Sequence, residues 1–376
     1  MFYAAVGGSC LPKGIICAFC AISLLLCVFL FHRRNPIFLL PLAMLLVLVR
    51  ILLPASISMD RGIGLFLTNL RNGMKEAANV LFRDEAAAAK GMLLGDTSGL
   101  SDVQRLQFSN AGLLHLFAVS GLHVSLLTEM LARFAHTRNK AVSLSILALF
   151  LLFFCAVTSF SASVLRASFM LLGIRIARMR DRQADPPNVY CFAMALTLLI
   201  DPSDLFRAGF QLSFAAASGL LLLGKPLRAP FLNRFPNSRI ITALTAATAA
   251  VLGMLPIMAY WFREVAWISI PLSVLLIPTM PIILLFGFFA ILLYGIFPHA
   301  AVAFSYPAYG AIKTLSFLME RVHVPLLSLP QPHPAAIILY YAGLLFTSKR
   351  YLKNADRPPW IGFGMLAASI LLWFLL

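Results

Sequence analysis

The sequence has few charged residues for its length. Charged side chains occupy 12% of its 376 positions and hydrophobic ones 61%, whereas soluble domains have about 25% charged residues. Acidic residues are the scarcest: 14 Asp and Glu face 30 Lys and Arg, which gives a formal net charge of +16. Water therefore cannot be the main solvent of this chain, and the composition excludes a soluble globular protein.

Familiar catalytic and metal-binding patterns are also missing. Cys17 and Cys20 have zinc-site spacing but lie in an apolar run with no second pair nearby, so we interpret all six cysteines as small membrane hydrophobes. The seven histidines do not form His-x-His-x-Asp-His, and no phosphate-binding G-x-x-x-x-G-K-[ST] loop is present. We expect no catalytic residues, no metal, no cofactor and no enzyme activity, and any ATP-driven motor must be another protein.

Apolar runs long enough to cross a bilayer, about 17–25 residues each, recur along the chain. They are continuous and rich in Leu, Ala and Phe, which favours helices over the alternating strands of a barrel. The sequence predicts an all-α, polytopic transmembrane helical bundle of about eleven or twelve helices. The predicted spans are Gly14–Phe31, Pro36–Pro54, Gly112–Ala132, Ala141–Phe160, Ala162–Ala177, Val189–Leu205, Gly209–Leu223, Ile240–Phe262, Ile282–Phe297, Ala301–Glu320, Pro334–Phe346 and Trp360–Leu376.

These runs divide the chain into three predicted regions. Residues 1–54 form an N-terminal transmembrane hairpin, residues 55–111 a short extracytoplasmic segment, and residues 112–376 a membrane-embedded channel-type domain. The middle of the second region, Met74–Leu94, is amphipathic at a helical period, which is typical of a helix on the membrane surface. Three prolines interrupt the uncharged stretch from Trp267, which predicts a broken or re-entrant segment facing the protein interior.

The short basic loops predict the orientation in the membrane. Cytoplasmic loops carry an excess of Lys and Arg. Placing every strongly basic loop in the cytoplasm puts residues 55–111 and both chain termini outside. The loops are His32–Asn35, Arg133–Lys140, Arg175–Arg182, Lys225–Arg239 and Lys349–Arg357.

Polar groups within lipid spans are costly and mark either function or tight helix contacts. In a continuous helix, His115 and His123 lie within about 80° of each other. Ser120 lies near that face, and Gly121 permits the close approach of another backbone. Such a face is either a packing seam or the lining of a path. A metal site would need at least one further ligand.

Two later spans carry polar groups with the same ambiguity. Arg166 lies deep in an apolar run, where it either pairs with Glu129 or Asp204 or faces a water-filled path and attracts phosphate. Gln211 and Ser213 enter the membrane after an acidic turn. They either form hydrogen bonds between helices or line a path.

Four stretches, together and in this order, resemble the competence domain of the ComEC DNA-uptake family. They are Gly91–Leu100, Gly112–Leu126, Ser163–Ala167 and Gly209–Phe214, similar to the family's "LLLGD", "HLLAVSGLHV", "SVLRA" and "GFQLSF" blocks. The resemblance covers roughly Glu76–Pro278. It implies a channel that imports single-stranded DNA across the cytoplasmic membrane during natural transformation.

The resemblance also implies site residues and partners. The candidates for the DNA path are His115, Ser120, Gly121, His123, Arg166, Gln211 and Ser213, and the structural motif positions are Gly95, Asp96, Gly112 and Gly209. The implied partners are single-stranded DNA, the lipid bilayer and separate DNA-receptor, nuclease and cytoplasmic motor proteins. A homo-oligomer is compatible with this interpretation.

The chain departs from the family pattern at three points. Residues 55–110 are too short for the extracellular OB-like domain, the histidines lack the metallo-β-lactamase signature, and Val274 stands where the family usually has Asn. Other functions therefore stay open: a secondary transporter of a small anionic solute using the broken segment, an intramembrane enzyme using His115 and His123, or a degenerate channel remnant.

Overall fold

A computed structural model describes residues 61–117, 119–134, 139–181, 183–276, 279–322, 326–347 and 360–375. Across these ranges the chain is helical apart from two two-residue strands. Four helical stretches are long and apolar enough to cross a membrane: Leu114–Arg133, Lys140–Val157, Ala208–Leu232 and Arg239–Phe262. The protein is an all-α helical membrane protein, which confirms the predicted fold class.

The helices follow the predicted spans closely over most of the described chain. The first seven are α1 (Arg61–Phe82), α2 (Ala86–Leu94), α3 (Asp102–Asn110), α4 (Gly121–Phe134), α5 (Lys140–Val157), α6 (Ala162–Met179) and α7 (Pro186–Ile200). The others are α8 (Ala208–Leu232), α9 (Arg239–Phe262), α10 (Ser269–Leu276), α11 (Thr279–Ile282), α12 (Phe289–Tyr294), α13 (Pro298–Arg321), α14 (Pro334–Thr347) and α15 (Trp360–Leu375). The strands β1 (Glu264–Val265) and β2 (Leu327–Ser328) form a two-stranded sheet.

The helices belong to two compact units. The first unit contains α1 to α7 together with α10 to α13, and the second contains α8, α9, α14 and α15. The predicted N-terminal hairpin, residues 1–54, and the basic loops at His32–Asn35 and Lys349–Arg357 lie outside the described residues. The predicted placement of residues 55–111 outside the membrane stays a prediction.

The core of the first unit is built on aromatic and small side chains. Phe154 of α5 meets Phe288 edge-on at 5.5 Å between ring centroids. α2 lies largely within this core, because its Ala and Leu side chains are buried on most sides. The sequence predicts one amphipathic helix over Met74–Leu94. In the structure the 3-10 turn Arg83–Glu85 divides this stretch into two helices, and Arg83 adopts a positive φ of 44° there.

That turn fastens the N-terminal helices to α13. Asp84 accepts hydrogen bonds from the Tyr309 hydroxyl at 2.8 Å and from Lys313 Nζ at 3.3 Å. The buried Glu85 accepts one from the Ser316 hydroxyl at 2.7 Å. Residues more than 200 positions apart in sequence are thereby held together.

Two of the three prolines in the predicted broken segment lie inside helices, Pro271 in α10 and Pro281 in α11. The third, Pro278, lies outside the described residues, so the predicted break stays a prediction. α10 ends at Leu276 and α11 begins at Thr279, and the two residues between them lie outside the described part of the chain. A stretch of π-helix, Ile283–Phe288, then joins α11 to α12. Val274, at the position where the resembling family usually has Asn, lies in α10.

The second unit depends on a close crossing of α8 and α9. Gly219 and Gly253 face each other there: a Cβ on Gly219 would lie 2.2 Å from the Ala249 carbonyl oxygen and 2.8 Å from the Gly253 Cα. α14 closes the same unit, since the Tyr341 hydroxyl donates to the Gly253 carbonyl at 2.8 Å. Only glycine allows two helix backbones to approach this closely.

Replacing Gly219 by alanine should therefore loosen the second unit. We expect Gly219→Ala to cost about 1–3 kcal/mol, because the added methyl must push α9 away from α8. Thermal unfolding of the purified protein in detergent measures the effect. Gly224→Ala on the same helix is the matched control, since a Cβ there meets nothing within 4 Å. Equal stability losses in the two variants would contradict the close-crossing explanation.

Candidate functional site

Gly112 begins the motif segment with a tight turn. It ends α3 in the left-handed region at φ 67°, and the Leu113 amide donates back to the Phe108 carbonyl at 2.8 Å, as in a Schellman cap. A Cβ on Gly112 would also lie 2.6 Å from the Cβ of Ser269. Both the dihedral angle and the packing thus require glycine, which gives this motif position a structural role.

The two histidines do not lie on one continuous helix, so that prediction is wrong. His115 lies in the 3-10 turn Leu114–Leu116, and regular helix begins only at Gly121. Between the two histidines, Phe117 forms a turn and Val119 and Ser120 lie outside any helix. The apolar composition of the segment gave no sign of this break. His115 Nδ1 lies 2.9 Å from the Gly112 carbonyl oxygen, and its side chain is exposed.

His123 is instead held by the residues just before α4. Its Nδ1 accepts a hydrogen bond from the Ser120 amide at 3.2 Å and lies 2.9 Å from the Ser120 hydroxyl. Its Nε2 is buried beside the backbone of Met92, without a hydrogen bond of normal geometry to any described residue. Ser120 and His123 therefore form one polar cluster inside the first unit.

Arg166 reaches this cluster from α6. Its Nη2 lies 3.2 Å from the position that a Cβ on Gly121 would take, and its Nη1 lies 3.7 Å from the Met170 sulfur. Gly121 thus leaves room for the guanidinium. Glu129 and Asp204, the two carboxylates that the sequence offered as ion-pair partners, each contact another arginine.

Glu129 and Asp204 each pair with a nearby arginine. Glu129 Oε1 lies 2.9 Å from Arg133 Nη2, one helical turn away. Asp204 Oδ1 lies 2.6 Å from Arg207 Nη1. Both carboxylates thus have a local arginine partner, and a pairing of Arg166 with either stays a prediction.

Sequence reasoning missed Arg71 of α1, one of several further arginines in the first unit. Its Nη1 donates to the Ser159 hydroxyl, 88 positions along the chain. Ser159 and Phe160 have φ values of 55° and 52° in the break between α5 and α6. Arg71 Nε and the Ser161 hydroxyl are buried there without a hydrogen-bond partner among the described residues. The alternating serines at 159 and 161 were the only sequence signal of this irregular backbone.

Asp96 owes its environment to another residue that the motif did not reveal. Lys75 of α1 lies 2.7 Å from Asp96 Oδ2, and the Ser98 amide and hydroxyl donate to Oδ1 at 3.1 and 2.7 Å. Burial alone would raise the pKa of Asp96, but the hydrogen bonds from Lys75 and Ser98 lower it to about 2. Gly95, at φ 72°, ends α2 and turns the chain so that Asp96 reaches α1.

Gln211 and Ser213 belong to the second unit, where Gln211 serves helix packing. Its Nε2 donates to the Leu205 carbonyl at 3.0 Å, and its Oε1 accepts from Trp261 Nε1 at 2.8 Å. This favours the interhelical hydrogen bond over the path-lining alternative. Ser213 lies half-buried on α8. Nothing in the structure explains a need for glycine at Gly209, where a Cβ meets no atom within 4 Å.

The described residues contain no group of three or more His, Cys, Asp or Glu side chains arranged to hold a metal ion. His115 and His123 are thus not joined by a third such ligand in the described part of the chain. The site combines hydroxyl, imidazole and guanidinium groups, and the guanidinium is a strong hydrogen-bond donor to anions such as phosphate.

Comparison with known proteins places these residues in a family context. Residues 92–352 match the family model described as "Competence protein". A protein of Bacillus subtilis named ComE operon protein 3 is 33% identical over 206 residues, which cover 52% of this chain and 25% of the relative. An uncharacterised Aquifex aeolicus protein is 28% identical over 298 residues, covering 76% of this chain and 67% of the relative.

A further relative, the uncharacterised protein MG316 of Mycoplasma genitalium, is 26% identical over 240 residues, covering 62% of this chain and 59% of the relative. The chain therefore spans only a quarter of the Bacillus protein's length. No solved structure matches the chain.

Loss of the Asp96 carboxylate should weaken the first unit in a pH-dependent way. Because folding lowers this pKa from about 4 to about 2, its contribution is complete above pH 4 and disappears as the pH falls to 2. We expect Asp96→Asn to cost about 2 kcal/mol at pH 7 and to cost little at pH 2. Unfolding measured from pH 2 to 7 tests this.

Asp102→Asn is the control for this pH series, because Asp102 is exposed and forms no ion pair with the described residues. We expect it to change stability by at most about 0.5 kcal/mol. If Asp96→Asn keeps the wild-type difference in stability between pH 4 and pH 2, the Lys75–Asp96 pair does not stabilise the fold as described.

Proposed function

Since the chain belongs to the competence-protein family, we propose that it is a multi-pass channel passing single-stranded DNA inward across the cytoplasmic membrane. The observation that carries the proposal is the family match over residues 92–352, more than half of the chain. The match includes the segments that hold Asp96, the Ser120–His123 cluster and Arg166. A role in competence is the part that the family supports directly, and the name of the Bacillus relative agrees with it.

The chemistry of the first unit supports a DNA strand as the cargo. A strand carries about one negative charge per nucleotide, and its path needs cationic and polar groups screened from lipid. Arg71 and Arg166 supply guanidinium groups, which bind phosphate oxygens with two parallel hydrogen bonds. The Ser159 hydroxyl accepts from Arg71, and Ser120 directly precedes Gly121, beside which the Arg166 guanidinium lies. In this proposal the motif residues of the first unit line the strand's path.

The remaining steps of DNA uptake fall to other proteins in this proposal. The family is a membrane family rather than an enzymatic one, so we assign the nuclease, the DNA receptor and the cytoplasmic motor to separate partners. A secondary transporter of a small anion is the competing function. The π-helix Ile283–Phe288 between α11 and α12 favours it, because transporters bind solutes where a membrane helix departs from regular geometry.

Variants of Arg166 separate a DNA path from a packing role. If Arg166 binds phosphate, Arg166→Lys keeps the charge but loses the bidentate fork, and uptake should fall about tenfold. Arg166→Ala should abolish uptake while membrane abundance stays at the wild-type level. The measurement is entry of labelled DNA into the cytoplasm of a transformable host that carries only the variant copy, with protein level determined in the same cells.

The exposed Arg180 is the matched control, because it is one residue past the end of the same helix. Arg180→Ala should leave uptake within about twofold of wild type. A loss of uptake in Arg166→Ala that is fully explained by loss of protein would make Arg166 structural. If deletion of the whole gene leaves DNA uptake unchanged but stops transport of a small anion, the protein is a transporter and not a DNA channel.

A further inference from the structure

A pocket away from the motif residues lies between α4, α5 and α6 of the first unit. It encloses about 220 Å³. Three cationic side chains line it: Lys140 at the start of α5, and Arg175 and Arg178 near the end of α6. Neither the sequence motifs nor the proposed DNA path uses these residues.

The charge of the pocket is strongly unbalanced. Lys140 Nζ lies 3.1 Å from Asp181 Oδ1, but both side chains are mostly exposed, so this pair is weak. Arg175 and Arg178 form no ion pair with any described residue. Three cations thus share one carboxylate, and an anion bound among them would be attracted by at least two unneutralised guanidinium groups.

Apolar side chains also line the pocket. Leu131 of α4, together with Leu144 and Leu147 of α5, faces the same space. The Ser143 hydroxyl also lines it, and it makes no hydrogen bond to the described residues. A ligand that fits such a lining has an anionic end, a hydrogen-bonding group and hydrocarbon. Inorganic phosphate has no apolar part that could contact the leucines, and a DNA backbone has no hydrocarbon chain that could pack against them.

The position of the pocket along the helices agrees with this chemistry. α5 is one of the stretches long and apolar enough to cross a membrane, and Lys140 is its first residue. The preceding candidate span ends at Arg133, at the other side of the same loop. The pocket therefore lies at the ends of two spans, which is the depth of lipid headgroups. Basic pockets between transmembrane helices at the cytoplasmic side bind anionic headgroups.

We propose that this pocket binds an anionic phospholipid, with the phosphate between Arg175 and Arg178 and an acyl chain along Leu131, Leu144 and Leu147. The bound lipid joins α4, α5 and α6 at their basic ends and neutralises the charge that α6 carries there. Because the residues differ from those of the DNA path, the inference stands or falls independently of the proposed channel function.

The test measures lipid binding to the purified full chain in detergent, by native mass spectrometry and by thermal stabilisation. The probes are phosphatidylglycerol, phosphatidylcholine, inorganic phosphate and a single-stranded oligonucleotide. We expect phosphatidylglycerol to bind and stabilise, and the double variant Arg175→Gln with Arg178→Gln to weaken its binding about tenfold or more, since each cation contributes to headgroup attraction.

The matched control removes the same charge elsewhere. Arg180 and Arg234 are exposed and do not line the pocket, so Arg180→Gln with Arg234→Gln should keep phosphatidylglycerol affinity within about twofold. Leu144→Trp fills the pocket without changing any charge and should also abolish binding. This variant keeps the test decisive if the arginine double variant does not fold.

Four results would overturn the inference. If phosphatidylcholine binds as strongly as phosphatidylglycerol, the pocket does not select anionic lipids. If the control variant loses as much phosphatidylglycerol affinity as the pocket variant, the effect is due to net charge alone. Protection by phosphate or the oligonucleotide as strong as that by phosphatidylglycerol would assign the pocket to a free anion or to DNA. Full phosphatidylglycerol binding by Leu144→Trp would place the lipid somewhere else on the protein.

Discussion

A bilayer offers no hydrogen bonds to the peptide backbone, so a chain in lipid can leave helical geometry only where protein groups replace the missing partners. This constraint organises the first unit. Its irregular points in the predicted membrane-embedded region are the left-handed turn at Gly112, the segment before Gly121, and the strained pair Ser159–Phe160. Gly95 makes a further left-handed turn in the predicted extracytoplasmic segment. Most groups at these points have side-chain or backbone partners, but Arg71 Nε and the Ser161 hydroxyl at the Ser159–Phe160 break are buried without one among the described residues. Each point coincides with polar residues that a lipid-facing helix would not contain.

The coincidence explains why the motifs lie where they do. Asp96 follows a left-handed glycine and meets Lys75, His123 uses the amide of Ser120 at the start of α4, and Ser159 meets Arg71 in the break before α6. A helix break leaves backbone N–H groups without helical partners and creates space. The polar side chains accept hydrogen bonds from such groups and fill the space. The same arrangement that satisfies the fold thus collects guanidinium, hydroxyl and imidazole groups in one unit.

Hydropathy was sufficient to predict the helices but not the contacts of the candidate site. The predicted spans Ala141–Phe160 and Ile240–Phe262 correspond to α5 and α9, because their apolar length decides their structure. The 3-10 turn at His115 was missed, since Leu and His carry no turn signal.

The most informative pairs join residues that are remote in sequence. Arg71 and Ser159 are 88 positions apart, and Gln211 and Trp261 are 50 apart. No local periodicity reports such contacts, because they depend on how helices pack. The pairing of Glu129 with Arg133 is the opposite case, because the two residues lie one turn apart on α4. The sequence analysis considered only the distant Arg166 as a partner of Glu129 and missed this local one.

Helix α6 shows how the basic character of the chain is distributed between packing and binding. It is not among the stretches apolar enough to cross a membrane alone, since Arg166, Arg175 and Arg178 lower its hydropathy. Arg166 and Arg175 are nine residues apart, so they project from opposite faces of the helix, about 14 Å apart along its axis.

Neighbouring helices accommodate the charged side chains of α6 differently at Arg166 and near the C-terminal end of the helix. At depth, α4 makes room for Arg166 by having Gly121 beside it. Near the end of α6, Arg175 and Arg178 open onto the pocket beside Leu131 and Leu144. α6 packs against α4, α5 and α7, and it is stable in a membrane only as a member of that group. The insertion of its arginines therefore depends on the assembled unit, and any anion that binds them stabilises the assembly as well as serving its own function.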